Sequence, residues 1–549
     1  MSTAGRHASA WPAKPSEGRS YGTDALQREP TTWTHPSRSA GVGPTASSTL
    51  RRRLRAATPS GARARLEAGD PAYGLGRPGG LTQWQDRDVT NPRTPLASLS
   101  DDDLAGFLAE QQSAYEALKA RGLKLDLTRG KPSAAQLDLS DDLLHLPTTT
   151  KDRAGVDVRN YGGLEGLPEL REMFAELLWV EPSQVVAGGN SSLTMMYSTI
   201  VDFLLFGGVE SPRPWSQEEK VRFICPVPGY DRHFSMLASF GIEMVTVDMH
   251  EDGPDIAAVE ALVKDDPSVK GIWIVPTYAN PSGAVVSQEI AARLAAMPTA
   301  APDFTIFWDN AYAFHHLTED EAKSADILSL AAASGHPNRP IMFASTSKIT
   351  FAGAGVAVLA ASQANVTWYL GHLAMGSIGP DKVNHLRHVE FFRDADGVRA
   401  HMRKHREIIA PKFAAVDEAL TSGLAGLEVA EWSHPTGGYF VNLDVLDGTA
   451  SRVVALAKEA GIALTPAGAS FPLGQDPRDR NIRLAPTFPV LDEVRTAMAG
   501  VATCVALAAA EKLTQDRAAR VGAEGDGDTP PAQDATNTAM NTATEGASR

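Results

Sequence analysis

The chain predicts an α/β protein with a mostly parallel central sheet, followed by a smaller α+β domain. Three observations carry this. Between about 180 and 362, short apolar runs alternate with longer stretches of helical periodicity. The runs are Val221 to Val227, Gly271 to Pro276, Phe304 to Trp308, Pro340 to Ala344 and Gly355 to Ala361, each of strand length. After a helical region at about 364 to 420, the pattern changes: Gly437-Gly438-Tyr439-Phe440-Val441 and Asn481-Ile482-Arg483-Leu484 read as strands of the smaller domain.

Residues 1–97 differ in composition from the rest of the chain. They are rich in Ser, Pro, Gly, Thr and Arg and show no sustained apolar period, which predicts a disordered extension. Order is expected near Ser100, where Ser100-Asp101-Asp102-Asp103 supplies a cap and an acidic first turn. Leu104, Phe107, Leu108, Tyr115 and Leu118 then recur at helical spacing, and Gly122 stops the helix. The expected organisation is a segment 98–145 joining the small domain, a large domain 146–400, the small domain 401–514 and a second disordered tail, 515–549.

Composition bounds the function. Of 549 residues, 43% are hydrophobic and 21% charged, as in ordinary globular proteins. A net charge of -15 argues against nucleic acid as a partner. Cys225 and Cys504 sit in apolar surroundings and read as buried thiols rather than a disulfide or metal site, which fits the reducing cytoplasm. No run approaches the ~18 uninterrupted apolar residues of a membrane span, and Met498 to Ala510 reads as the buried face of a helix.

The chemistry concentrates just past the apolar runs, where open α/β sheets collect ligands. Lys348 ends Ile341-Met342-Phe343-Ala344-Ser345-Thr346-Ser347-Lys348; Asp309 ends the run from Phe304; Asn280 follows the run from Gly271. An amine, a carboxylate and an amide so placed are the parts needed to hold pyridoxal phosphate. A lone lysine at a strand end is usually a solvated surface residue, so the reading rests on the set. Lys348 would form a Schiff base with the cofactor aldehyde. Asp309 would pair with the pyridine nitrogen, keeping it protonated and able to accept electrons. Tyr312 and Asn280 could donate to the phenolate oxygen, and Ser345 could hold the phosphate. Gly188-Gly189-Asn190-Ser191-Ser192 precedes a helical stretch, Leu193 to Phe206, whose start could receive a phosphate on backbone amides. Tyr230 could stack on the ring, and His233 could support Asp309. Arg483 would grip a substrate carboxylate through a bidentate fork. Each of these has an ordinary structural alternative: turn, cap, core aromatic or surface cation.

Taken together, these segments resemble the class I aminotransferases of pyridoxal-phosphate fold type I. The order Tyr161, Gly189 to Ser192, Tyr230, Asn280, Asp309, Tyr312, Ser345, Lys348, Arg483 matches, over roughly residues 98–512. The nearest likeness is to a divergent bacterial subgroup of aspartate aminotransferases, carried by Leu127-Thr128-Arg129-Gly130-Lys131-Pro132-Ser133, Arg159 to Gly166, Pro226 to Phe234 and Asp309 to His315. The resemblance implies ping-pong transamination between aspartate and 2-oxoglutarate, with alanine, aromatic or broad-range specificity as the alternative. It also implies a homodimer in which Tyr161 reaches the phosphate of the neighbouring subunit, and a place for Gly130 near the substrate carboxylate. One departure stands out: the arginine that the family usually carries after the lysine is replaced by Gly353-Ala354-Gly355-Val356. A lyase or decarboxylase on the same scaffold is a rival reading. A transcription regulator is another, although residues 1–95 show no helix-turn-helix pair.

Overall fold

The computed structural model describes residues 94–525; the expectations for residues 1–93 and 526–549 lie outside them. An eight-stranded sheet has the spatial order Val185–Ala187, Ala357–Ala361, Pro340–Ser345, Thr305–Asp309, Val269–Ile274, Arg222–Val227, Glu243–His250, Gly253–Pro254. The five strands from Pro340–Ser345 to Glu243–His250 are parallel. Ala357–Ala361 pairs antiparallel on both its sides, a reversal that its apolar composition did not announce. Chain order reverses between Arg222–Val227 and Val269–Ile274, so the crevice beyond their carboxyl ends is the topological switch point.

Side chains alternate across this sheet, as strand geometry requires. Ile224, Ile272, Ile306, Trp308 and Met342 enter one core. Phe223, Cys225, Trp273, Phe307 and Phe343 enter the core on the other face. A third core gathers Leu104, Tyr115, Leu118 and Leu127 with residues from Phe413 to Ala510. There Leu125–Leu127 pairs in parallel with Ile462–Leu464, and Val441–Val445 lies between Ala430–Trp432 and Asn481–Leu484 in an antiparallel sheet. The helix Ala395–Leu424 runs from the first core, through Val398 and Met402, into the third, through Val416 and Leu420.

Several local expectations shift. The first helix is Asp101–Ala120, capped by Ser100 Oγ on the Asp103 amide at 3.1 Å. Leu96 is fully buried, and its amide donates to Leu427 O, so order begins inside the expected disordered extension 1–97. The helical region at 364–420 consists of three helices, separated at Pro380 and at Arg393, φ 70°. Asp394 then caps the third by accepting from the Gly397 amide. Gly437 to Phe440 precedes the strand rather than forming it. The last helix, Leu491–Gly525, passes residue 515, where a disordered tail was expected. Arg517 Nη1 pairs there with Asp101 at 2.7 Å, and Nη2 donates to Ala97 O and Leu99 O. Part of that helix, Leu491–Arg520, is long and apolar enough to cross a membrane, but 67% of its most apolar window is buried in the fold.

Candidate active site

Four neighbouring parallel strands deliver most of the predicted residues. Tyr230 and His233 follow Arg222–Val227, Asn280 follows Val269–Ile274, Asp309 ends its own strand with Tyr312 just beyond, and Ser345 ends the strand before Lys348. Lys348 is fixed by its turn: the amides of Ile349 and Thr350 both donate to Thr346 O at 2.9 Å. Its Nζ stands 4.7 Å from the centre of the Tyr312 ring. Among the described residues, that amine makes no hydrogen bond or ion pair, so it is held by its stem alone.

Asp309 is buried, 3% exposed. Its Oδ2 lies 3.0 Å from His233 Nε2. The imidazole is clamped by stacking on Trp273, with centroids 4.1 Å apart and planes 8° off parallel. Among the described residues, Asp309 Oδ1 has no hydrogen-bond partner. Leaving a buried acceptor unpaired costs about 1–3 kcal/mol, more when it is charged, so the position suits a cationic N–H from outside the chain. Tyr230 stands at the edge of His233. Burial pushes its phenol up to about 12, while the Lys348 ammonium pulls the other way. Tyr312 is fully enclosed, and burial, with Asp309 adding to it, holds its hydroxyl well above the ordinary range.

Arg483 comes from the strand Asn481–Leu484 and crosses to this cluster. Its Nη1 is 3.0 Å from Asp231 Oδ1 and 3.4 Å from Asn280 Oδ1, and its guanidinium carbon lies 5.1 Å from the Phe440 ring centre. Gly130 packs on that same ring: a Cβ at Gly130 would collide with the Phe440 ring, so only glycine fits. Gly437 is similar, since a Cβ there would strike the Tyr278 ring.

At the phosphate-type corner, Ser345 Oγ donates to Ser347 Oγ at 3.1 Å, and Ser347 Oγ donates to Asn190 O at 3.2 Å. Ser191 Oγ accepts from the Thr194 amide and caps the helix Ser192–Phe206, which Ser192 opens. Asn190 Nδ2 is turned onto Gly353 O at 3.0 Å. In the stretch 353–356, which lacks the expected arginine, Val356 is fully buried, and its amide donates to Thr346 Oγ1. Tyr161 is not drawn into this cluster; it is 81% exposed, with its carbonyl held by Lys382 Nζ. Of the surface cations, Arg159 is tied to Asp157, and Lys131 sits 3.8 Å from the Phe488 ring centre. A cleft of about 230 Å³ between residues 313–323 and 399–406 contains none of the predicted site residues.

With this geometry in view, the comparisons are specific. A family model described as aspartate amino-transferase matches residues 99–517. The chain belongs to that family. An aspartate aminotransferase of Corynebacterium glutamicum is 56% identical over 407 residues, 74% of this chain and 94% of that protein. A crystal structure of an aspartate transaminase from the same species superposes with a TM-score of 0.75 at 54% identity, covering 76% of this chain and 99% of that one. The fold alone extends to an α-aminoadipate aminotransferase of Thermus thermophilus, solved with N-(5'-phosphopyridoxyl)-L-leucine, at a TM-score of 0.57 and 20% identity over 72% of this chain and 95% of that one. The protein is an aminotransferase of fold type I, a family generally dependent on pyridoxal phosphate, acting on amino and 2-oxo acids.

Two parts of this aminotransferase site had no sequence signal. One is Asp231 on Arg483. The other lies behind Lys348, whose carbonyl accepts from Tyr439 OH at 3.2 Å and faces His315 Nε2 at 3.4 Å. Tyr439 OH in turn accepts from Gln136 Nε2 at 2.9 Å, and Gln136 Nε2 is 3.1 Å from His405 Nδ1. Gln136 Oε1 is already engaged by the Ser133 amide, so its amino group faces His405. His405 Nε2 then meets His401, which lies 2.9 Å from Ile349 O.

This buried chain has a pH consequence. Burial, chiefly, holds His405 down at about 3; it also holds His388, outside this hydrogen-bonded chain and 3.1 Å from Thr350 Oγ1, at about 4. An unfolded histidine titrates near 6.5, so below that pH the unfolded chain binds more protons than the folded one. The stability they contribute is complete above pH ~6.5 and is lost as pH falls through the folded values. Tm is therefore expected to drop between pH 6.5 and 4, and less steeply in His405→Gln. Thermal melts across that range check it; an unchanged slope in the variant contradicts it.

Proposed function

We propose that the protein transfers the amino group of L-aspartate to 2-oxoglutarate by a ping-pong mechanism, using pyridoxal 5'-phosphate held on Lys348. The observation that carries this is the unpartnered Oδ1 of buried Asp309, on the strand next to the one that leads to a free lysine amine. Pyridoxal phosphate, when bound, supplies an electron-withdrawing ring conjugated to the substrate nitrogen, which acidifies the α-C–H.

The chain's own residues do the rest. Nζ of Lys348 would hold the cofactor's aldehyde carbon and give it up to the substrate amine. The freed Nζ would then take the α-proton as base and, as acid, deliver it to the former aldehyde carbon. Asp309, oriented by His233, holds a proton on the ring nitrogen. Tyr312 and Asn280 donate to the phenolate oxygen, and Tyr230 covers the ring face. Ser191, Ser192, Ser345 and the helix amides beside Asn190 would meet the phosphate, with no arginine in the stretch 353–356. Arg483 grips the α-carboxylate beside Asn280 and Gly130.

A homodimer belongs to this reading. Tyr161 at 81% exposure, Met375 at 85% and Ile378 at 64% are costly to leave in water, and Tyr161 is the residue that would reach a neighbour's phosphate. We assign the reaction to the cytoplasm, in keeping with two free, buried cysteines. With 2-oxoglutarate as acceptor, kcat/KM is expected to be highest for aspartate among aspartate, alanine and phenylalanine. A steady-state panel measures this, and preference for alanine or phenylalanine would overturn the aspartate assignment.

A further inference from the structure

Arg483 already holds a carboxylate. Its Nη1 is 3.0 Å from Asp231 Oδ1, with the arginine side chain 8% exposed and the aspartate side chain 40% exposed. The guanidinium lies over Phe440, and its Nε is buried without a partner among the described residues. A ligand can therefore approach only the Nη end, and a carboxylate gripped there by both Nη atoms needs the one Asp231 holds.

We propose that Asp231 is a built-in stand-in for the substrate's carboxylate, neutralising Arg483 in the resting site and swinging aside when the carboxylate of an amino or 2-oxo acid takes its place. This rests on the reading of Arg483 as the carboxylate grip. A buried guanidinium without an anion is costly, so the site keeps one of its own. Release is made easy by position. Asp231 is the first residue of the helix Asp231–Ser239, where a negative charge is favoured by the helix dipole. Its side chain already reaches solvent. The exchange keeps the buried charge balanced at every stage. It also discriminates: a ligand lacking a carboxylate has nothing with which to displace Asp231. Asp231 is thus a positioning residue that sets carboxylate affinity, acting through Arg483.

The test is calorimetric binding of succinate, a dicarboxylate with no amino group to transfer, to the cofactor-loaded enzyme. Asp231→Asn, which keeps the shape and removes the charge, is expected to bind succinate about tenfold more tightly than wild type, and KM for the amino donor is expected to fall with it. Asp231→Ser provides a second variant should the first fold poorly. Unchanged or weaker binding in both, with binding lost in Arg483→Lys, would overturn the stand-in role and leave Asp231 as a mere orienting group. Undiminished binding in Arg483→Lys would overturn the carboxylate grip itself, and the stand-in with it.

Discussion

Lys348→Ala is expected to lower the single-turnover rate of amino transfer by roughly 10²- to 10⁴-fold or more, since it removes both the anchoring amine and the acid–base group. The structure makes this a clean substitution. Nζ makes no hydrogen bond or ion pair among the described residues, and its one ring contact is with Tyr312 at 4.7 Å. The loop is held by its backbone, through Thr346 O and the Tyr439 bond to the Lys348 carbonyl. Those bonds survive in the variant, so Tm should change little while turnover collapses. Near-normal turnover in a folded Lys348→Ala protein would end the mechanism. Collapse together with a large loss of Tm would point instead to a structural lysine.

Asp309→Asn is the second large effect. The carboxamide keeps the size of the side chain but presents no negative charge to the ring nitrogen. An opposite charge at contact distance shifts a pKa by about 1–3 units, so its loss is expected to cost roughly ten- to a thousandfold in rate. The carboxamide also has a single acceptor oxygen, so it can serve His233 Nε2, 3.0 Å from Asp309 Oδ2, or the ring nitrogen but not both. His233→Phe separates the two effects. It keeps a ring to stack on Trp273 and leaves the carboxylate charged but less well aimed, so its rate should fall between wild type and Asp309→Asn. Rate measurements on the pair check this, and wild-type activity in Asp309→Asn would contradict the electron-sink role.

Much of the site was legible because strand ends are legible. Lys348, Asp309 and Asn280 each follow an apolar run of strand length, and in a parallel sheet those ends converge. Ser191 could be found because small residues before an apolar helical period let backbone amides approach a phosphate. What could not be read was long-range pairing. Asp231 and Arg483 are 252 residues apart, and Gln136 and His405 269 apart; no periodicity links them. The strand Glu243–His250 was missed because half-exposed positions interrupt its apolar run. The expectation of a tail from 515 failed for a different reason. A polar composition is also what the solvated end of a long helix shows, and only the tertiary contact of Arg517 with Asp101 distinguishes the two.

The central claim is that Nζ of Lys348 is the amine that carries the cofactor. Borohydride reduction of the enzyme after incubation with pyridoxal phosphate, followed by peptide mass mapping, reads this directly. The account predicts the reduced pyridoxyl group on the peptide containing Lys348; its appearance on another lysine, or on none with the cofactor in excess, would contradict it.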